Sequence, residues 1–377
     1  MQALLLTFLC TLSSTKLFHA SYFIGLRRDT MDVDGRLELI AKGALEIVTE
    51  GELRSLLETS AKPTAYIGYE PSGFVHIGQM ITVSKIVDMQ KAGVDFTVFL
   101  ADWHAMINDK LGGDLDSIRA CGEYMRDCFI ALGIDGSAKF VYASELIDRL
   151  DYWERFIRIC KVSSLGRLKR AMTIMGRNEE EAEIDASKIM YPSMQVADIF
   201  QLDVDIAYSG MDQRRAHMLA RDAAEKLGWK KPVAVHTPLL MGLAGGARMD
   251  PVEAKMSKSS PDSAVFMHDS SEDVARKVKN AFCPPEAEAN PVLDMARLIV
   301  FPRLGILKVD RPAKYGGPIE FSCFEELEKA YVAKSLHPMD LKKGVSDSVN
   351  ELMEPVRSYF KAHPGNLEKV KSLSITR

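Results

Sequence analysis

Apolar positions along the chain follow two alternating rhythms. Ala65-Tyr66-Ile67-Gly68-Tyr69 is a short apolar run of strand length, followed by a loop through Pro71-Ser72-Gly73. From about His76 to Ala92, Ile77, Met80, Ile81 and Val87 fall on one helical face, and Gly93 ends the segment. Phe96 to Ala101 is apolar without alternation, as expected of a parallel strand covered on both faces. Asp114 to Leu132 predicts a helix stopped by Gly133, and Lys139-Phe140-Val141-Tyr142 a third strand. Strand, helix, strand in this succession predicts an α/β protein with a doubly wound parallel sheet.

The rhythm breaks over about 145–190, where Lys161, Arg167, Lys169, Arg170 and Arg177 mark a basic, largely helical insertion. It resumes with a helix over Tyr191 to Leu202 and a strand over Val204 to Tyr208, then a Gly- and Met-rich loop from Met241 to Asp250. Beyond about Ser270 the strand signal fades. Helical stretches broken at Pro284-Pro285, Gly316-Gly317 and His337-Pro338 predict a separate, mainly α-helical domain. The expected partition is 1–30 as an extension outside the fold, 31–269 as the sheet domain with its insertion, and 270–377 as the helical domain.

Composition changes this picture little. A chain of 377 residues, 47% hydrophobic and 27% charged, is of ordinary globular make-up and long enough for two cores. The net charge of -4 advertises no global basic field, so any nucleic-acid contact must rest on local clusters. Cys10, Cys121, Cys128, Cys160, Cys283 and Cys323 form no CxxC pair and no zinc-type spacing with histidine, which reads as free thiols in a reducing compartment, with no metal cage expected. Cys121 and Cys128, seven apart on a predicted helix, share a face and are expected to be buried. Ala3 to Leu12 is an apolar run like the core of a signal peptide, but no basic residue precedes it and it is too short to span a bilayer. A targeting segment and an over-extended start both fit it.

Two short motifs carry chemistry. His76-Ile77-Gly78-Gln79 follows a strand and opens a helix, where backbone N–H groups and the helix dipole receive phosphate, with Gly73 and Gly78 permitting close approach. Lys255-Met256-Ser257-Lys258-Ser259, 179 residues beyond His76, follows a glycine-containing loop from which its ammonium groups swing onto a polyphosphate. In this order the pair resembles the two ATP-handling signatures of class I aminoacyl-tRNA synthetases. The resemblance implies a Rossmann-like catalytic domain that joins an amino-acid carboxylate to the α-phosphate of ATP. That reaction needs positioning and charge stabilisation, by His76, Lys255, Lys258 and a Mg2+ carried with ATP, rather than a general base. Gln79 stands where the family has a second histidine; an amide still donates a hydrogen bond.

On the helix that follows the insertion, Tyr191, Gln195 and Asp198 are i, i+4 and i+7, so a phenol, an amide and a carboxylate share one face. Such groups on an otherwise apolar helix predict a pocket for a polar amino acid. With Tyr66 to Gly73, Leu100-Ala101-Asp102-Trp103-His104 and Gly210-Met211-Asp212-Gln213-Arg214, they make the chain, from Met31 to Arg377, similar to tyrosyl-tRNA synthetases of the archaeal and eukaryotic type. The resemblance implies that Tyr66 and Asp198 bind the substrate phenol. Tyr191, Gln195 and Gln213 would hold the amino and carboxylate end beside Gly68 and Glu70, while Phe99, Ala101 and His104 would line the ring. Gly210 and Asp212 would approach the ATP ribose, with Met256 beside the nucleotide. Lys169, Arg170 and Arg214 would meet the acceptor end of tRNA(Tyr), and Tyr315 and Asp340 its anticodon. It further implies a cytoplasmic homodimer that joins L-tyrosine to tRNA(Tyr), with no membrane attachment. Tryptophanyl-tRNA synthetases share the signatures, and two hydroxyl-binding groups favour tyrosine over indole. A retired synthetase serving as an RNA-binding partner is a different class of reading, against which the phosphate-handling His76, Lys255 and Lys258 argue.

Overall fold

The computed structural model describes residues 31–176, 185–245 and 263–373. Lys255, Met256 and Lys258 therefore lie outside the described residues, as do Arg177, Cys10 and the apolar N-terminal run. Six strands form the central sheet: β1 (Glu46–Val48), β2 (Thr64–Tyr69), β3 (Asp95–Leu100), β4 (Lys139–Tyr142), β5 (Ile206–Gly210) and β6 (Val233–Thr237). Their order is β1-β6-β5-β2-β3-β4, and every pairing is parallel except that of β1 with β6. From β2 the chain winds outward through β3 and β4, then returns to the other side as β5 and β6. The winding therefore reverses between β2 and β5, and in such sheets ligands bind at the carboxyl ends of the strands flanking that reversal.

The expected strand at Val204 to Tyr208 sits two residues further on, and β1 and β6 are strands the sequence pattern did not predict. β1 is only three residues long and half-buried, too short to set a periodicity. The helix expected from His76 begins at Gln79, and the one expected from Tyr191 begins at Ala186, before Pro192. Asp185 caps the latter by accepting from the Ser187 and Lys188 amides. Asp114 likewise caps the Leu115–Ala131 helix, on which Cys121 and Cys128 are both buried and neither is in a disulfide.

The period of two along the strands assigns the layers. Ala65, Ile67, Phe96, Val98, Leu100, Ile206 and Tyr208 enter one hydrophobic core, whereas Tyr66, Phe99 and Ala207 enter a second on the opposite face. The second core is closed by the insertion helices Leu150–Val162 and Leu165–Ala171 and by Ala186–Gln201. The first continues without a break into the C-terminal helices Pro338–Ala362 and Gly365–Ser372, where Tyr124 stacks on Phe360 with centroids 5.3 Å apart. Beyond residue 270 the chain is mainly helical, but it also forms a two-stranded antiparallel sheet, β7 (Leu307–Val309) and β8 (Ile319–Phe321), absent from the sequence reading. Among the described residues no helix is long and apolar enough to cross a membrane.

Candidate active site

A cleft of about 1300 Å³ opens at the carboxyl ends of β2 and β5. Tyr66, Gly68 and Glu70 from β2 and its continuation line it together with Phe99, Ala101 and His104, which follow from β3. Tyr191, Gln195 and Asp198 enter from one face of their helix, as the spacing predicts. Gly210, Asp212 and Gln213 come from the end of β5, and His76, Gly78 and Gln79 from the first signature. Gly73 lies in the loop between the lining residues Ser72 and Phe74.

At the closed end Asp198 is only 1% exposed. Its Oδ1 accepts the Tyr152 hydroxyl at 3.0 Å, and its Oδ2 stands 3.1 Å from His104 Nε2. The His104 ring is turned so that this contact has ion-pair distance without hydrogen-bond alignment. Burial works against protonating His104, but the charge of Asp198, with Glu70 and Asp102 adding to it, lifts the imidazole above its ordinary pKa of 6.5. Tyr66 is 1% exposed and its hydroxyl, beside the Gln195 side chain, makes no well-aligned hydrogen bond; burial and the nearby Asp198 charge push its ionisation far up, so it stays a neutral phenol. Gln195 Oε1 is also buried and without a well-aligned partner, while its Nε2 donates to Gln213 Oε1 at 3.3 Å. Orphaned buried polar atoms are rare in folded proteins, and several converging on one cleft mark where a ligand supplies the missing partners.

Toward the mouth, Glu70 gathers a second group. It accepts the Tyr191 hydroxyl at 2.5 Å and the Asn108 amide at 3.1 and 3.0 Å, with Lys110 Nζ at 3.7 Å. The ring wall is aromatic: Phe99 packs edge-on to Tyr66 and to His104, whose ring lies 4.9 Å from that of Tyr191.

The first signature is folded on itself. His76 N–H donates to Gln79 Oε1 at 3.1 Å, and the Gly78 N–H donates to His76 Nδ1 at 3.1 Å. Nδ1 is thereby held as an acceptor, which leaves the ring proton on Nε2. A Cβ on Gly78 would stand 2.8 Å from the His76 ring, so only glycine allows this turn. Gly210 is constrained in the same way, since a Cβ there would stand 2.7 Å from Leu239 and 2.8 Å from Asp212. His76 also bridges Phe266, with Ile77 N donating to Val265 O and Met267 N to Val75 O, both at 2.9 Å. The segment just after the lysine signature is thus stitched to the first signature.

The sequence reading missed Tyr152 and Asn108. Tyr152 shares the buried face of its helix with Phe156 and Ile159, and nothing in that spacing separates a hydrogen-bonding phenol from a core residue. Lys169 and Arg170 are exposed on the Leu165–Ala171 helix, outside the cleft. Arg214, next to the lining Gln213, makes a two-pronged pair with Glu46 at 2.7 and 2.8 Å. Tyr315 is 60% exposed and Asp340 lies in the first turn of the Pro338–Ala362 helix. Arg311 ties their two segments by donating to Gly317 O at 2.7 Å and Ser335 O at 3.1 Å. No cluster of histidine, cysteine or carboxylates with metal-holding geometry occurs among the described residues.

A family model described as tRNA synthetases class I (W and Y) matches residues 58–354. Curated tyrosine--tRNA ligases include one from Saccharolobus islandicus, 50% identical over 356 residues (91% of this chain, 99% of that one), and one from Aeropyrum pernix, 52% identical over 346 residues (89% and 95%). Among solved structures, the tyrosyl-tRNA synthetase of Aeropyrum pernix superposes with a TM-score of 0.83 at 47% identity, covering 92% of this chain and 100% of that one. That of Pyrococcus horikoshii, complexed with L-tyrosine, superposes with a TM-score of 0.86 at 43% identity, covering 91% and 100%. With a matching family model over most of its length and about half the aligned residues identical to such ligases across about nine-tenths of the chain, the chain belongs to the class I tRNA synthetases, on the tyrosyl-tRNA synthetase branch.

Proposed function

We propose that this chain is a tyrosine--tRNA ligase, which activates L-tyrosine with ATP to tyrosyl-adenylate and pyrophosphate and then transfers the tyrosyl group to the 3′ end of tRNA(Tyr). The observation that carries the choice of amino acid is the closed end of the cleft. A buried carboxylate and a buried phenol that makes no well-aligned hydrogen bond meet there, and a substrate hydroxyl would satisfy both. Phenylalanine would leave the Tyr66 hydroxyl and the acceptor positions of Asp198 not taken by Tyr152 unfilled, at a cost that discriminates strongly; a tyrosyl-tRNA synthetase is itself the standard illustration of that rule.

In this reading Tyr66 and Asp198 take the phenol hydroxyl, and Phe99, Ala101 and His104 line the ring. Tyr191, Gln195 and Gln213 face the amino and carboxylate end, with Gly68 and Glu70 beside them. Because the substrate carboxylate is already ionised, attack on the α-phosphate needs alignment and cations. His76, held by Gly78 and Gln79, offers its Nε2 proton to the phosphates, and Gly73 and Gly78 allow the nucleotide to approach the backbone closely. Gly210 and Asp212, which line the cleft, are assigned to the ATP ribose. Lys255, Met256 and Lys258 are assigned by the signature alone, and Mg2+ would arrive with ATP.

Lys169, Arg170 and Arg214 are assigned to the acceptor end, Tyr315 and Asp340 to the anticodon, where an exposed aromatic face stacks on a base and a carboxylate reads a guanine edge. Residues 31–269 would be the catalytic unit and 270–377 the anticodon-binding unit of a cytoplasmic homodimer. The exposed Leu150, Ile157 and Leu165 on the insertion support its use as the dimer surface.

Amino-acid-dependent exchange of pyrophosphate into ATP, run with tyrosine, tryptophan and phenylalanine, tests the reading. Exchange with tyrosine is expected. Exchange with tryptophan alone would overturn the specificity, and none with any of the three would overturn the activity.

A further inference from the structure

Asn108 is buried, 2% exposed, and stands behind the mouth of the cleft rather than on its wall. It closes the short helix Asp102–Ile107, with its backbone N–H donating to His104 O at 2.9 Å. One turn separates the two side chains, so the helix sends His104 toward Asp198 and Asn108 toward Glu70. The chain then leaves by a backbone path that ordinary side chains avoid: Asp109 and Leu111 have φ of 55° and 52°. Conformations of this kind persist where the surroundings hold them, and here Lys188 Nζ grips Asp109 at 2.8 Å.

The Asn108 amide is a branch point. Its nitrogen donates to both oxygens of Glu70, at 3.1 and 3.0 Å, and to the Met175 carbonyl at 3.0 Å. Glu70 lies just past the end of β2, where no strand ladder fixes it, and these bonds with that from Tyr191 set its rotamer. Burial keeps Tyr191 a neutral phenol, and because its proton goes to Glu70 its oxygen is left as an acceptor in the cleft. Ile174 O, next to Met175 O on the Met172–Met175 turn of the insertion, accepts Gln213 Nε2 at 3.0 Å. With its nitrogen so engaged, Gln213 offers its carbonyl oxygen on the side of Gln195. Two neighbouring carbonyls of the insertion thereby orient the acceptors at this end of the cleft, and acceptors are what an ammonium requires.

We propose that Asn108 is the positioning residue of the ammonium subsite, locking Glu70 against Tyr191 and tying both to the Met175 carbonyl, so that the substrate α-amino group meets acceptors already in place. The proposal rests on the reading that the cleft takes L-tyrosine with its amino end toward Tyr191. It makes the last turn of the insertion part of the amino-acid site, although neither of its carbonyls need touch the substrate. Fixing the acceptors beforehand removes the cost of ordering them on binding.

The test uses the full chain and three ligands that share the phenol: L-tyrosine, tyramine, which has the ammonium and no carboxylate, and 3-(4-hydroxyphenyl)propanoate, which has the carboxylate and no ammonium. In Asn108→Leu, the dissociation constants for tyrosine and tyramine are expected to rise about tenfold, the scale of a hydrogen bond to a charged group, while that for the propanoate stays the same. The tyrosine KM in pyrophosphate exchange is expected to rise in step, with the KM for ATP unchanged. Asn108→Ser, too short to reach both partners, is expected to show the same selectivity at a smaller loss, and it carries the comparison if the leucine variant does not fold. Because Asn108 acts through Glu70, adding Asn108→Leu to Glu70→Gln is expected to weaken tyrosine no further than Glu70→Gln alone. Equal weakening of all three ligands would reduce Asn108 to a packing residue and overturn the proposal. Unchanged tyrosine binding, or losses that add in the double variant, would overturn it as well. Wild-type chain that neither binds tyrosine nor exchanges with it would instead overturn the ligase reading on which the proposal stands.

Discussion

Tyr152 donates its phenolic proton to Asp198, 3.0 Å away and 46 positions further along the chain, and so joins the basic insertion to the substrate helix. Both groups are buried, and the bond sets the geometry of the Asp198 carboxyl group before substrate arrives. Preorganisation of this kind lets a pocket discriminate without moving.

Tyr152→Phe removes that one donor without emptying its space. Hydrogen bonds to charged groups contribute about 1.5–3 kcal/mol, so the tyrosine KM in pyrophosphate exchange is expected to rise by about tenfold or more, with little change for ATP. An unchanged KM would mean that Asp198 is positioned by packing alone.

Asp198→Ala is a more severe change. It removes the acceptor assigned to the substrate hydroxyl and leaves Tyr152 without its partner, so tyrosine activation is expected to fall by on the order of 100-fold while circular dichroism stays native-like. Tyrosine activation equal to wild type would refute the role given to Asp198.

Gly78→Ala drives a methyl group into the His76 ring, where the space is 2.8 Å. The backbone at Gly78 is helical, so the substitution introduces no backbone strain and the ring must move instead. If His76 handles the phosphates as proposed, displacing it by about 1 Å costs on the order of 100-fold in rate. A kcat for exchange near wild type would show that His76 need not hold this geometry.

His268, whose ring centroid lies 4.1 Å from that of Phe74 in the far part of the cleft, has its pKa lowered to about 4, with burial the largest cause. For a base whose folded pKa is depressed, stability is full above the unfolded value of 6.5 and is lost as pH falls toward 4, because the unfolded chain takes up the proton first. That loss is roughly 3 kcal/mol. His268→Phe keeps the ring and removes the titration, so its melting temperature is expected to fall less than that of wild type between pH 7 and pH 4.5. Parallel curves for the two proteins would exclude His268 as a source of the acid sensitivity.

Much of the site was legible before the fold was known, because its residues come in short runs whose spacing carries geometry. Tyr191, Gln195 and Asp198 share a helical face at any tertiary arrangement, and they do line one cleft. Gln79 illustrates the limit. As a letter it departs from the family signature, yet in space its amide oxygen holds the His76 backbone N–H, so the fourth position still serves to fold the motif. Strands β1, β7 and β8, of three residues each, were missed because pairing across the fold, and no local period, makes them strands.

By itself the sequence determined the βαβ order, the two signatures, and the set of polar groups on the substrate helix, since each depends on neighbours within about ten residues. Only the tertiary structure decided which partners those groups have. Tyr152 reaches Asp198 from another helix, His217 reaches Glu46 through His236 across three elements, and the segment at Phe266 is sewn to His76. Hydrogen bonds between residues far apart in the chain are set by distance and angle in the folded state, and no one-dimensional period records them.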